Sequence, residues 1–138
     1  MKRAYFQGLE TSAELTEFDL SEVTAKLAFD SRGLLPVITQ NATSKEVLML
    51  AWMNKDAFNQ TLETGYVTYW SRSRGELWVK GETSGHTQEL VSLAIDCDGD
   101  TILCQVNQKG AACHTNRKHC FYLRVDSKQD KVRIVSTL

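Results

Sequence analysis

The residues from Asp96 to Cys120 combine all four cysteines of the chain, two of its three histidines and a run of alternating carboxylates. They read Asp96-Cys97-Asp98-Gly99-Asp100, then a β-rich run from Thr101 to Val106 holding Cys104, then Ala112-Cys113-His114-Thr115 and His119-Cys120. Thiolates suit a borderline-soft ion such as zinc, and carboxylates around a glycine turn suit a hard cation such as magnesium or calcium. Six residues separate Cys113 from Cys120, too many for a zinc-finger knuckle, and Cys97 is more distant still. Three cysteines in separate loops could instead give one zinc ion three thiolates and leave a fourth position for water. The alternative is burial as small apolar residues, which is the expectation for Cys104 inside an alternating strand.

His114, next to a candidate ligand, could move a proton to or from a water or a leaving nitrogen, because imidazole titrates near neutral pH. His86 and His119 are expected to be non-catalytic, although His119 could substitute as a ligand. Asp96, Asp98 and Asp100 alternate, so along an extended strand end they would share one side, with Cys97 facing the other. Two metals on opposite sides of one turn are then expected. The pattern lacks the further ligands of a calcium-binding helix-loop-helix, so magnesium fits better, and Asp-Gly-Asp is equally ordinary hairpin-turn chemistry.

A second group of polar residues suits an anion. Trp70-Ser71-Arg72-Ser73-Arg74 offers two guanidinium groups and two hydroxyls, and Lys80-Gly81-Glu82-Thr83-Ser84-Gly85-His86 adds donors on a glycine-containing loop. Forked arginine donors and close main-chain amides hold phosphate oxygens. Each segment alone reads as a solvated loop. Together, beside Tyr69, Trp70 and Trp78, they point to a phosphorylated nucleotide.

The elements that must position these groups are mostly strands. Leu34 to Gln40, after a turn at Phe29 to Gly33, and Val47 to Met53 suggest a hairpin, the second strand buried on both faces. Asn54 is a good N-cap, Asp56 suits the first turn, Ala57, Phe58 and Leu62 share a face, and Gly65 stops the helix. Tyr66–Trp70 should pair with Glu76–Lys80, and Glu89–Ile95 with Thr101–Val106 across the acidic loop. Cys120–Val125 and Lys131–Val135 flank a turn at Ser127 to Asp130. Residues 1–28 read as a mixed, polar lead-in with at most a short helix after Ser21, leaving 29–138 as one domain. The expected fold is a β-rich α+β domain, a small barrel-like sheet capped by one helix.

At 138 residues the chain suits a single core, and 16 basic against 17 acidic side chains leave a formal charge of -1. That balance argues against a nucleic-acid coat, so any anion is bound locally. No signal-peptide core or membrane-length run occurs, which leads to the expectation of a cytoplasmic protein with reduced thiols.

Taken in order, these motifs resemble the phosphoribosyl-AMP cyclohydrolase family of histidine biosynthesis, over roughly Phe29 to Tyr122. The resemblance rests on Leu34-Leu35-Pro36, Val47 to Asn54, Trp70 to Arg74, Leu77-Trp78 with Lys80 to His86, Asp96 to Asp100, Ala112 to Thr115 and Cys120-Phe121. It implies zinc on Cys97, Cys113 and Cys120, magnesium on Asp96, Asp98 and Asp100, and an intertwined homodimer in which Cys97 of one subunit joins Cys113 and Cys120 of the other. It also implies hydrolytic opening of the adenine ring at the N1–C6 bond by zinc-activated water. His114 would move the proton, and Trp70, Ser71, Arg72, Ser73, Arg74, Lys80, Thr83 and Ser84 would bind substrate. Asn116 stands where the family usually has glycine and His119 where it usually has a small residue, so a differently bent loop and a competing ligand are expected. The chain ends about where the cyclohydrolase part would, so a form without an attached pyrophosphohydrolase domain is expected.

Two other classes fit parts of the pattern. A zinc-dependent base deaminase would carry a His-x-Glu segment with Pro-Cys-x-x-Cys, which is absent here. A zinc-stabilised single-strand binding module would use Arg72, Arg74, Lys80 and the aromatics, against the near-neutral charge.

Overall fold

The computed structural model describes residues 2–136; Met1, counted above in the lead-in, and residues 137–138, counted in the domain, lie outside them. Strands are laid down where β-branched and aromatic residues alternate with polar ones. In β1 (Leu35–Asn41), Leu35, Val37 and Thr39 are buried; in β6 (Ile102–Gln108), Ile102, Cys104 and Val106 are buried. The two strands run parallel, with Val37 beside Ile102 and Thr39 beside Cys104, so their inward faces make one continuous apolar surface. On the far side of β1 lies the antiparallel β2 (Val47–Met53), and on the far side of β6 the antiparallel β5 (Gln88–Ile95). The sheet order is β2-β1-β6-β5, a mixed sheet with its two central strands parallel.

Helix α3 (Lys55–Thr64) forms as its caps dictate. Asn54 Oδ1 accepts from the Ala57 amide at 2.8 Å, and Gly65 ends the helix in the left-handed region at φ 79°. Its buried face is Ala57, Phe58 and Thr61, whereas Leu62 is partly exposed. Thr61 replaces it because its hydroxyl satisfies two buried main-chain groups, donating to the Ala57 carbonyl at 2.8 Å and accepting from the Thr68 amide at 2.9 Å. The helix packs against β2, β3 (Thr68–Ser71) and β4 (Glu76–Val79). Fully burying Phe58 contributes about 1.5–3 kcal/mol.

The sheet does not close. Gly65 to Val67 runs beside β5, with the Val67 amide on the Gln88 carbonyl at 2.9 Å and the Leu90 amide on the Gly65 carbonyl at 2.8 Å. That ladder stops at the single Tyr66–Glu89 bridge, so β3 pairs with β4 instead, in a separate hairpin. The barrel-like expectation is therefore not met within one chain; what forms is an open four-stranded sheet with two outlying hairpins, the second being β7 (Leu123–Asp126) with β8 (Lys131–Ile134). Nor is β2 buried on both faces, since as a sheet edge it leaves Leu50 half-exposed.

The lead-in is more structured than its polarity suggests. It forms α1 (Lys2–Leu9) and α2 (Leu20–Lys26), the latter starting after Asp19 rather than Ser21. Phe6 and Leu27 are both buried in the core cluster. Among the described residues no helix is long and apolar enough to cross a membrane.

Candidate active site

The β5–β6 hairpin sets the geography. Both the Lys80–His86 loop, which leads into β5, and the segment that leaves β6 at Gln108 lie at one end of this hairpin; the Asp96–Asp100 turn lies at the other. Seven residues of β6 separate the two ends, roughly 20 Å at about 3.3 Å per residue. A cavity of about 490 Å³ opens at the first end, where Lys80, Thr83 and Ser84 face Cys113 and His114, with Arg74 at its margin.

Cys113 and Cys120 are brought together here. The loop between them is closed by Asn116, whose amide donates to the Cys113 carbonyl at 2.9 Å, and by the Cys113 amide on the Arg117 carbonyl at 3.1 Å. Asn116 sits at φ 67°, the left-handed conformation that glycine favours and asparagine tolerates. The Cys120 amide is tied to β2 through the Leu48 carbonyl at 2.8 Å. Burial raises the Cys113 thiol pKa, but the Thr115 hydroxyl, 3.0 Å from Sγ, the Thr115 amide, the Cys120 thiol and the Arg117 charge outweigh it, and the net shift is downward. Burial, then the Cys113 charge and hydrogen bond, push Cys120 up to about 11, with Lys80 opposing. The two thiols are hydrogen-bonded and shifted in opposite directions, a donor set that a soft cation fits and that supplies half of a four-coordinate shell.

Lys80 is nearly buried, its ammonium 5.4 Å from the Trp78 ring centroid. Desolvation lowers its pKa, with Cys120 and Cys113 pulling the other way. His114 is exposed on the cavity wall. His119 is fully buried; its Nδ1 accepts from the Phe121 amide at 3.0 Å, and Nε2 has no hydrogen-bond partner among the described residues. Among the described residues it forms no three-ligand group with Cys113 and Cys120.

Cys97 lies elsewhere. Ligand atoms of Asp96, Cys97 and Asp98 fall within 4.8 Å of one another, so the expectation that Cys97 faces away from the carboxylates is corrected. The residues curl around Gly99 (φ 71°) instead of continuing a pleated strand, which removes the alternation. Desolvation works to raise Asp96, but hydrogen bonds from the Asp100 amide and carboxyl and from neighbouring amides lower it. Asp100 is raised by burial and by its contacts with Asp96 and Asp98. The Asp98 carboxylate lies 3.4 Å from the Arg3 guanidinium of α1.

The arginine-rich link divides. Arg74 borders the thiol cavity, while Trp70, Ser71, Arg72 and Ser73 line an adjoining hollow of about 470 Å³ with Trp52 and Arg32, and Trp78 borders both. The Arg72 guanidinium lies over the Trp52 ring at 4.6 Å. Trp52 and Arg32 escape a sequence reading because one looks like strand core and the other like a turn. His86, passed over above, also borders the thiol cavity. Cys104 is buried and its thiol is pushed up to about 12 by burial alone, as its strand position predicts.

Fold and site together define an α+β domain in which Cys113, one thiol of a close pair, and a hydroxyl-rich loop carrying Lys80 line one cavity. A family model described as phosphoribosyl-AMP cyclohydrolase matches residues 49–122. Proteins of that name from Hyphomonas neptunium, Dinoroseobacter shibae and Alkalilimnicola ehrlichii are 61%, 58% and 54% identical over 71%, 79% and 88% of this chain and 75%, 88% and 85% of their own lengths. The chain belongs to the phosphoribosyl-AMP cyclohydrolase family.

Proposed function

We propose that this protein hydrolyses phosphoribosyl-AMP in histidine biosynthesis, opening the adenine ring between N1 and C6, and that it does so as a homodimer in the cytoplasm. The observation that carries the reading is Cys113, hydrogen-bonded to the Cys120 thiol and lining a cavity that Arg74, Lys80, Thr83 and Ser84 also line. These two sulfurs would hold zinc with Cys97 of a second copy, because within one chain Cys97 lies at the end of the β5–β6 hairpin opposite the segment that leads to Cys113. Zinc there would supply Lewis acidity that makes water nucleophilic near neutral pH.

The chain's own residues do the rest. Lys80, Thr83, Ser84 and Arg74 bind one phosphate, and Arg72 with Ser71 and Ser73 binds the other from the adjoining hollow. Trp70 and Trp78 flank the nucleotide between them. This clamp fixes C6 against the thiol side of the cavity, replacing a bimolecular encounter by an oriented one. His114, one residue beyond Cys113 and open to the cavity, moves a proton toward N1 as the ring opens. Asp96, Asp98 and Asp100 would hold magnesium, whose charge would favour the ionised form of Asp100, which burial and then its contacts with Asp96 and Asp98 disfavour.

The test is direct. Purified protein incubated with phosphoribosyl-AMP should show the absorbance change of ring opening, lose it on chelation and regain it with added zinc. Release of ammonia without ring opening, or turnover unaffected by complete zinc removal, would overturn the reading.

A further inference from the structure

We propose that His86 is a positioning residue for this reaction: it fixes the gap between the Lys80–Ser84 wall and the Cys113–His114 wall. The inference rests on the function proposed above, which assigns no role to His86.

The contacts of His86 run in both directions. Its amide donates to Ser84 Oγ at 3.2 Å, which holds it to the phosphate-binding loop. That loop turns back on itself through the Gly85 amide and the Gly81 carbonyl at 2.8 Å. At Gly81 (φ 78°) a Cβ would stand 2.2 Å from the His86 carbonyl carbon, so only glycine lets the loop close onto the His86 main chain.

Toward the other wall, His86 Nδ1 lies 3.1 Å from the Ala111 carbonyl oxygen. A carbonyl only accepts, so Nδ1 carries the hydrogen. The ring also lies against the main chain of Gly110 (φ 69°), where a Cβ would stand 2.5 Å from Cδ2. Gln108 adds a third link, donating from Nε2 to the His86 carbonyl at 3.2 Å. Ala111 is two residues before Cys113, so the Nδ1 bond sets where the thiol loop begins. A shift of about 1 Å between the walls would separate the clamped nucleotide from the reacting centre and cost up to about 100-fold in rate.

A ring that merely fills space would show the same packing, so two variants separate the readings. His86→Phe keeps a ring against Gly110 and removes the donor. His86→Asn removes most of the ring and keeps an N–H where Nδ1 was. The expected result is that H86F lowers kcat about 10- to 100-fold with KM changed much less, and that H86N recovers most of that loss. In cobalt-substituted protein, the thiolate charge-transfer band should move in H86F and return toward wild type in H86N.

Unchanged kcat and an unchanged cobalt spectrum in H86F would overturn the proposal. So would equal losses in both variants accompanied by equal falls in melting temperature, which would mark packing alone. If wild-type protein fails to open the ring, the function proposed above falls; a cobalt band that still moves in H86F and returns in H86N would keep the positioning role.

Discussion

Two interacting thiols set the chemistry at the scale of single residues. Because the Cys113 charge helps push Cys120 up to about 11, removing that charge should let Cys120 ionise at lower pH. In metal-free Cys113→Ser, ultraviolet thiolate absorbance from Cys120 should therefore appear at a pH below that of the wild type; an unmoved titration would show that Cys113 does not act on Cys120. A second buried group works through satisfaction rather than charge. Tyr69 OH is fully buried, donates to Gln88 Oε1 at 2.6 Å and accepts from Thr39 Oγ1 at 2.6 Å. Burial raises its pKa above the ordinary tyrosine value, so it stays a donor. Gln88 passes the chain on to Gln108 Oε1 at 2.8 Å, and Gln108 reaches the His86 carbonyl. Tyr69→Phe strands the Gln88 oxygen and should cost about 1–3 kcal/mol, read from the denaturant midpoint.

At the scale of elements, the helix that was least legible does the most unexpected work. Helix α1 delivers Phe6 onto Gly99, where an added Cβ would meet the ring at 2.0 Å, and the Ala28 amide bonds the Gly99 carbonyl at 2.8 Å. The acidic turn is thus held from the N-terminal side. Gly33 has a similar φ of 76° but open space where a Cβ would go, which makes it a control for backbone strain alone. Both Gly33→Ala and Gly99→Ala should destabilise by more than about 1 kcal/mol. The loss in Gly99→Ala should be clearly larger and accompanied by faster amide exchange in α1. Equal losses would mean that Phe6 does not lock the turn.

For the whole molecule, the proposed zinc centre would need two copies, because the β5–β6 hairpin sets Cys97 at the end opposite Cys113. A centre that draws Cys97 from one copy and Cys113 with Cys120 from another can be rebuilt from two damaged chains. Mixed after denaturation, Cys97→Ser and Cys113→Ser should form heterodimers with one intact and one doubly damaged centre. Random pairing gives half heterodimers, hence about a quarter of wild-type activity from two nearly inactive parents. No recovery would place the three sulfurs outside one shared centre. The β7–β8 hairpin agrees with a partner, since Leu123, Val125, Val132 and Ile134 are all exposed and an isolated two-stranded hairpin is marginal in water.

Much was legible in the sequence because it is local. Alternating β-branched residues marked β1, β5 and β6, and the Asn54 and Gly65 caps bounded α3, since these signals depend only on neighbours along the chain. The motifs around Cys113, Lys80 and Arg72 named the chemistry for the same reason: donor type belongs to the residue. Which donors meet is a different matter. The parallel pairing of β1 with β6, the Cys113–Cys120 contact, the separation of Arg72 from Arg74 and the place of His86 between two loops all depend on packing between segments distant in sequence. No local propensity encodes those distances, so tertiary structure alone decided them.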